Sequence, residues 1–192
     1  MTNLILENHR AKIEVLNINN YKFIEPVALE KDIIKFSPSD ISTPEKFKTY
    51  VDEALTQLQN NTAIPFIIFD KEFNSYAGST RMAKIDYKNE VLEIGWTWLS
   101  KSFQGTGLNK AVKQLILHNA FEVLNFKKVD FRIDERNIAS RKAVEKLGAK
   151  LEGILRENVL MIDGFRRNTC CYGITTSEWK ILKQDVLKEY YS

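Results

Sequence analysis

Near the middle of the chain the apolar pattern changes period across a few residues, and this break limits the fold more than any other feature. Before it, Val91–Leu99 is an apolar run of strand length; after it, Leu108, Ala111, Val112, Leu115 and Ile116, with Ala120 and Leu124 further on, mark one face of a long helix ending near Asn125. Between them stands Gln104-Gly105-Thr106-Gly107-Leu108-Asn109. A strand therefore feeds a helix through a turn holding two glycines. Such a turn can aim backbone N–H groups at one point, where the helix N-terminus adds about half a positive charge. By itself it serves equally as a tight connection or as a phosphate cradle. Two common phosphate motifs do not fit. A P-loop needs Gly-x-x-x-x-Gly-Lys-Ser/Thr, and a dinucleotide fingerprint needs a third glycine where Lys110 stands, after a parallel rather than an antiparallel strand.

The flanking segments predict the rest of the architecture. Lys12–Leu16 alternates as a short strand, and Asn19–Ala28 is read as a helix whose end is set by Pro26. Thr43-Pro44-Glu45 supplies an N-cap, a first-turn proline and a first-turn acid for an amphipathic helix through Leu58. Ile64–Phe69, Ala77–Ile85 and Val91–Leu99, separated by polar turns, predict three antiparallel strands. Val129–Ile133 alternates as a further strand, and Asn137 caps a helix closed by Gly148. Leu151–Ile162 and Phe165–Ile174 flank Asp163-Gly164 as a hairpin, and Glu178–Tyr190 is expected to be a terminal helix. The order is that of an α+β (α/β layered) fold, a mostly antiparallel central sheet with inserted helices.

At 192 residues with 44% apolar content, the chain supports one core, so residues 1–192 are expected to be a single domain. Lys and Arg exceed Asp and Glu by only 28 to 25 without a basic block, which argues against a nucleic-acid partner. Met1–Ile5 is followed by Glu7, His9 and Arg10 rather than by a leader's apolar run, and no stretch approaches the ~20 apolar residues of a membrane helix. A cytoplasmic protein is expected. Cys170 and Cys171 are adjacent, which suits a reducing compartment, and with only His9 and His118 besides there is no zinc-ligand spacing, so no metal is expected.

The glycine turn resembles the Gln/Arg-x-x-Gly-x-Gly/Ala signature of the GNAT superfamily of acetyl-CoA-dependent acyltransferases; Gln104 and Gly107 match, and Asn109 stands where that pattern has Gly or Ala. Leu92-Glu93-Ile94-Gly95-Trp96-Thr97-Trp98-Leu99 is similar to the family's fourth strand, and Asn137 through Ala149 to its Asn-x-x-Ser/Ala…Glu-Lys-Leu-Gly helix. The ending, Leu151–Glu157 through Asp163-Gly164 and Glu178-Trp179, resembles the RimJ/RimL-like branch, whose characterised members acetylate protein N-termini. The likeness covers about Lys12–Trp179.

The resemblance implies a sheet with helices on both faces whose fourth and fifth strands, Val91–Leu99 and Val129–Ile133, splay apart. The pantetheine arm of acetyl-CoA would lie in the opening against backbone at Trp98 and Leu99, with its pyrophosphate on Gln104, Gly105, Thr106, Gly107, Leu108 and Asn109. Glu93 is the candidate base, acting through water on an amine acceptor, a peptide N-terminus or a small molecule. An α-amine with a pKa of about 8 would need only modest help. The same position also suits a glutamate on a strand's solvated face, and Trp98 equally suits a half-buried aromatic. Asn137 would meet the pantetheine amides and Ser140 the sulfur, although capping alone also explains the asparagine. Many members carry a tyrosine acid seven residues after this asparagine; here Val144 occupies the place, leaving Ser140 or solvent to protonate the thiolate. Arg141, Lys142 and Lys146 are within the same helix as candidate phosphate contacts. Residues 19–42 and 155–167 would form the acceptor pocket, and a homodimer is a family-level expectation. A catalytically idle acyl-CoA-binding module is the competing class.

Overall fold

The computed structural model describes residues 4–191, so the start of the Met1–Ile5 stretch read above lies outside the described residues. Eight strands form one sheet: β1 (Ile5–Glu7), β2 (Ala11–Val15), β3 (Ile64–Asp70), β4 (Ser75–Asp86), β5 (Val91–Leu99), β6 (Lys128–Asp134), β7 (Lys150–Leu160) and β8 (Arg166–Thr175). Their order is β1-β2-β3-β4-β5-β6-β8-β7. Every neighbouring pair is antiparallel except β5 and β6. That parallel pair forms only over Val91–Glu93 against Lys128–Asp130, after which the strands diverge. The expected splay is present, between the fifth and sixth strands because β1 precedes the strand read at Lys12–Leu16.

Helices cover both faces, as expected. On one side α3 (Leu108–His118), α4 (Ile138–Lys146) and α5 (Thr176–Gln184) bury Val112, Ile116, Val144, Leu147 and Trp179 against Ile13, Phe66, Leu92 and Val129. On the other, α1 (Glu25–Ala28) and α2 (Pro44–Gln59) bury Val27, Phe47 and Val51 against Ile67 and Trp98. Local signals set these helices as read: Thr43 accepts the Lys46 N–H, Asn137 accepts the Ser140 N–H, and Gly148 ends α4 at φ +92°.

Three boundaries differ from expectation. In place of a helix over 19–28 there is a 3-10 turn at Tyr21–Phe23 and then the short α1. Asn20 explains the interruption: its side chain accepts the Asn17 N–H at 2.8 Å and donates to the Val15 carbonyl at 2.9 Å, holding the backbone in a turn. The helix expected to reach Asn125 is α-helical only to His118 and continues as a π-helical turn, Asn119–Val123, in which Leu124 N–H reaches the Asn119 carbonyl. The terminal helix stops at Gln184, followed by a 3-10 turn at Lys188–Tyr190.

Trp179 ties this end of the chain to the core: it is 1% exposed, stacks on Phe121 at 5.4 Å and donates to Glu122 at 2.7 Å. Trp179→Ala is expected to cost about 3–5 kcal/mol in denaturant unfolding. A loss under about 1 kcal/mol would mean that the C-terminal helix is not part of the cooperative core.

Candidate active site

A cavity of about 660 Å³ occupies the opening between β5 and β6. Its floor and walls come from β5 (Glu93 to Leu99), β6 (Phe131 to Asp134), α3 (Asn109, Lys113) and α4 (Asn137, Ser140, Val144), with Gln104 and Gly105 at one end. Beyond Glu93 the edge of β5 has no strand beside it, which leaves room for an added strand along it. The opposite edge is tightly held. Opposite Ser79 to Arg81 of β4, β5 carries a bulge in which Trp96 sits at φ +48°, and β4 runs so close to Trp98 that a Cβ on Gly78 would stand 2.0 Å from the Trp98 carbonyl oxygen. Gly78→Ala is therefore expected to lower stability by about 1–3 kcal/mol, read as a reduced melting temperature; an unchanged one would show that this approach can relax.

The glycine turn is shaped by backbone conformation rather than by crowding. Gly105 and Gly107 sit at φ +78° and +90°, and a Cβ on either would meet nothing within 4 Å. Inside the turn, Gln104 donates to the Leu99 carbonyl at 3.0 Å and Thr106 to the Phe103 carbonyl at 2.8 Å. Arg10, paired with Asp70 at 2.7 Å, also reaches the Thr106 hydroxyl at 3.4 Å and brings a positive charge to the turn. Among the described residues, the N–H groups of Gly105, Gly107 and Asn109 meet no protein acceptor. Open donors, absent side chains and the N-terminus of an eleven-residue helix together fit a pyrophosphate.

Glu93 lies in the wall of the cavity, 6% exposed, and accepts a hydrogen bond from Lys84 Nζ at 2.7 Å. Its carboxylate thus faces the opening rather than bulk solvent. Asn137 and Ser140 both line the cavity; the Asn137 side-chain oxygen Oδ1 accepts the Ser140 N–H at 3.1 Å, leaving the side-chain amide donors and the serine hydroxyl for other partners. Val144 is buried in the same wall.

Other candidates separate. The Trp98 side chain is in the core, edge-on to Phe47 at 6.3 Å with its indole N–H 3.4 Å from the Tyr50 hydroxyl. Only its backbone is at the strand edge. Arg141 is engaged by the Tyr172 hydroxyl and the Glu135 carbonyl, both at 3.1 Å, so of the basic residues on α4 only Lys142 and Lys146 are exposed and outside any described ion pair. Cys170 is buried, which pushes its thiol up, and neither cysteine lines the cavity. Residues 32–39 together with Asn158, Val159 and Arg167 form the outer wall, within the two segments expected there. Arg167 joins them, donating to the Phe36 carbonyl at 3.1 Å, and burial lowers its pKa.

The sequence reading missed Lys113. Its side chain is buried in the cavity floor, donates to Thr97 Oγ1 at 2.8 Å and lies 6.0 Å from the centre of the Phe131 ring. Burial alone pushes its amine down to about 7. The available signal was its place within Ala111–Leu117, a stretch buried on every side of the helix.

A mixed sheet that opens between two parallel strands, with a glycine turn leading into a helix at one end of the opening, is the frame expected of the acyltransferase family that the sequence resembles. The chain belongs to the acetyltransferase (GNAT) domain family, whose model matches residues 19–150. It is 29% identical over 106 residues to the Bacillus subtilis (strain 168) protein named "Putative ribosomal N-acetyltransferase YdaF", a match covering 55% of this chain and 57% of that one. The chain thus matches somewhat over half the length of that curated relative. Its fold is shared with a GCN5-related N-acetyltransferase from Brucella melitensis (TM-score 0.85, 23% identity, 97% of this chain and 85% of that one). It is shared also with Mycobacterium smegmatis RimJ in complex with CoA-disulfide (TM-score 0.79, 16% identity, 94% and 90%). The family agrees with the GNAT resemblance read from the sequence, and the name of the Bacillus subtilis relative is in keeping with the RimJ/RimL-like branch. Among the described residues no helix is long and apolar enough to cross a membrane.

Proposed function

We propose that the protein transfers an acetyl group from acetyl-CoA to a primary amine, a protein N-terminal α-amine or a small-molecule amine, by direct attack on the thioester. The observation that carries this reading is the unpaired edge of β5 beyond Glu93, which runs into a glycine turn with open N–H donors. In this reading the turn from Gln104 to Asn109 holds the pyrophosphate, and backbone at Trp98 and Leu99 pairs with the pantetheine arm. A backbone N–H there polarises the thioester carbonyl as an oxyanion donor. Asn137 adds a hydrogen bond to the pantetheine amides. Glu93 takes the proton from the incoming ammonium through water, and Ser140 donates a hydrogen bond to the departing sulfur. Residues 32–39 and Arg167 border the acceptor's entry.

Acetyl-CoA and CoA are expected to bind and to raise the melting temperature. At a hundredfold excess over Kd the stabilisation should be about 2.7 kcal/mol. Titration calorimetry without heat, together with an unchanged melting temperature at millimolar acetyl-CoA, would overturn the reading. The acceptor class follows from thiol release across peptide N-termini, lysine peptides, polyamines and amino acids.

A further inference from the structure

Lys113 is the one lysine among the described residues that is buried, and it has no carboxylate partner. A buried amine without a counter-ion is a stability cost that a core methionine or leucine would not incur, which directs attention to what the position faces. It faces the opening between β5 and β6 from below. The Thr97 hydroxyl on β5 holds the amine, Thr80 on β4 lies 2.8 Å behind that hydroxyl, and the Phe131 ring on β6 closes the other side. None of these groups titrates. One helical turn earlier, Asn109 lines the same cavity with a buried side-chain oxygen that has no hydrogen-bond partner. The two residues, four apart on one face of α3, thus offer an unmatched acceptor and a cation to whatever fills the opening.

Opposite them on α4 is Val144, which cannot give up a proton. We propose that Lys113 is the proton donor to the departing thiolate of CoA, with Asn109 beside it accepting a pantetheine amide N–H. This rests on the acetyl-transfer reading above. In the step, the acceptor nitrogen forms its bond to the acetyl carbon and the carbon–sulfur bond breaks with its electron pair going to sulfur. The ammonium of Lys113 passes a proton to that sulfur. The proton shed by the acceptor nitrogen leaves through water to Glu93, and solvent then reprotonates Lys113 and clears Glu93. Burial brings the amine down to about 7, into the range of an ordinary thiol at about 8.5, so lysine and departing sulfur compete for one proton and each favours the other's charged form. Ser140 retains a hydrogen bond to the same sulfur.

The test reads the thiol of bound CoA. With the full-length protein saturated with CoA, thiolate absorbance is followed against pH for wild type, for Lys113→Met and for free CoA, and CoA affinity is measured by calorimetry. An ammonium beside the sulfur should increase the thiol's ionisation constant in the wild-type complex about tenfold or more over free CoA. Lys113→Met should lose that increase, retain CoA affinity within a few-fold, melt no lower than wild type and turn over about 10²-fold or more slowly. An unperturbed thiol in the wild-type complex would overturn the proposal, and this comparison needs no variant. An equal perturbation in Lys113→Met would overturn it as well, assigning the effect to other groups. Failure of wild type to bind CoA would instead remove the underlying acetyl-transfer reading.

Discussion

Replacing Gly107 with valine is expected to abolish acetyl-CoA binding while leaving the fold almost intact. The residue holds φ +90°, a conformation that a β-branched side chain adopts only at a cost of about 1–3 kcal/mol. Nothing in the protein lies within 4 Å of where a Cβ would stand, so the substitution creates no internal clash. In the acetyl-transfer reading the open space beside Gly107 is where the pyrophosphate approaches the turn, and a valine side chain would compete for it. Losing about 3 kcal/mol of charge-assisted hydrogen bonding would weaken Kd by more than about 100-fold. Calorimetry measures this directly, with the melting curve of the unliganded protein as control. Wild-type affinity in Gly107→Val would reduce the turn to a connector, and a collapsed melting curve would show that the turn supports the fold.

Glu93→Gln is expected to lower turnover about 10²-fold with little change in acetyl-CoA affinity. Glutamine keeps the shape and most of the hydrogen bonding of the carboxylate but cannot accept a proton at neutral pH. General-base assistance is worth roughly 10²- to 10⁴-fold, and a base acting through water falls at the low end. The variant also gives up the ion pair with Lys84, which is 65% exposed, so stability should fall by no more than about 1 kcal/mol. The decisive reading is the pH trend. As pH rises toward the acceptor's own pKa, more of the amine is already neutral, and the deficit of the variant should shrink. A variant equal to wild type at every pH would leave Glu93 as the strand's polar partner of Lys84 and move the base to solvent. Glu157 is exposed on β7 and does not line the cavity, so it does not offer a replacement. Loss of cofactor affinity along with turnover would make Glu93 structural.

Much of this was legible because it is local. The Thr43 and Asn137 caps, the stop at Gly148, the Asp163-Gly164 hairpin and the strand-turn-helix around Gln104–Asn109 each depend on contacts within a few residues, and the structure contains them all. Val144 in the place of a tyrosine is a matter of composition and needed no coordinates. The boundaries that shifted did so where a side chain competed with the backbone, as at Asn20, or where the helix after His118 widened into a π turn.

What the sequence by itself determined is the order of elements, the family and the two glycines that open the turn, because hydrophobic period and turn chemistry act over short separations. Only the tertiary structure decided how that frame becomes a site. A bulge at Trp96 sends the Trp98 ring into the core and Thr97 toward α3, reversing what simple alternation along the strand would suggest. Arg141, exposed by its helix position, is drawn to Tyr172, 31 residues away. The parallel pairing of β5 and β6 stops after Glu93, and in the gap Lys113 meets Thr97 from a different element. These contacts join segments that carry no mark of one another in the chain. They arise because the sheet, once its core faces are buried, leaves one pair of strands unable to stay parallel and places whatever α3 presents beneath the opening.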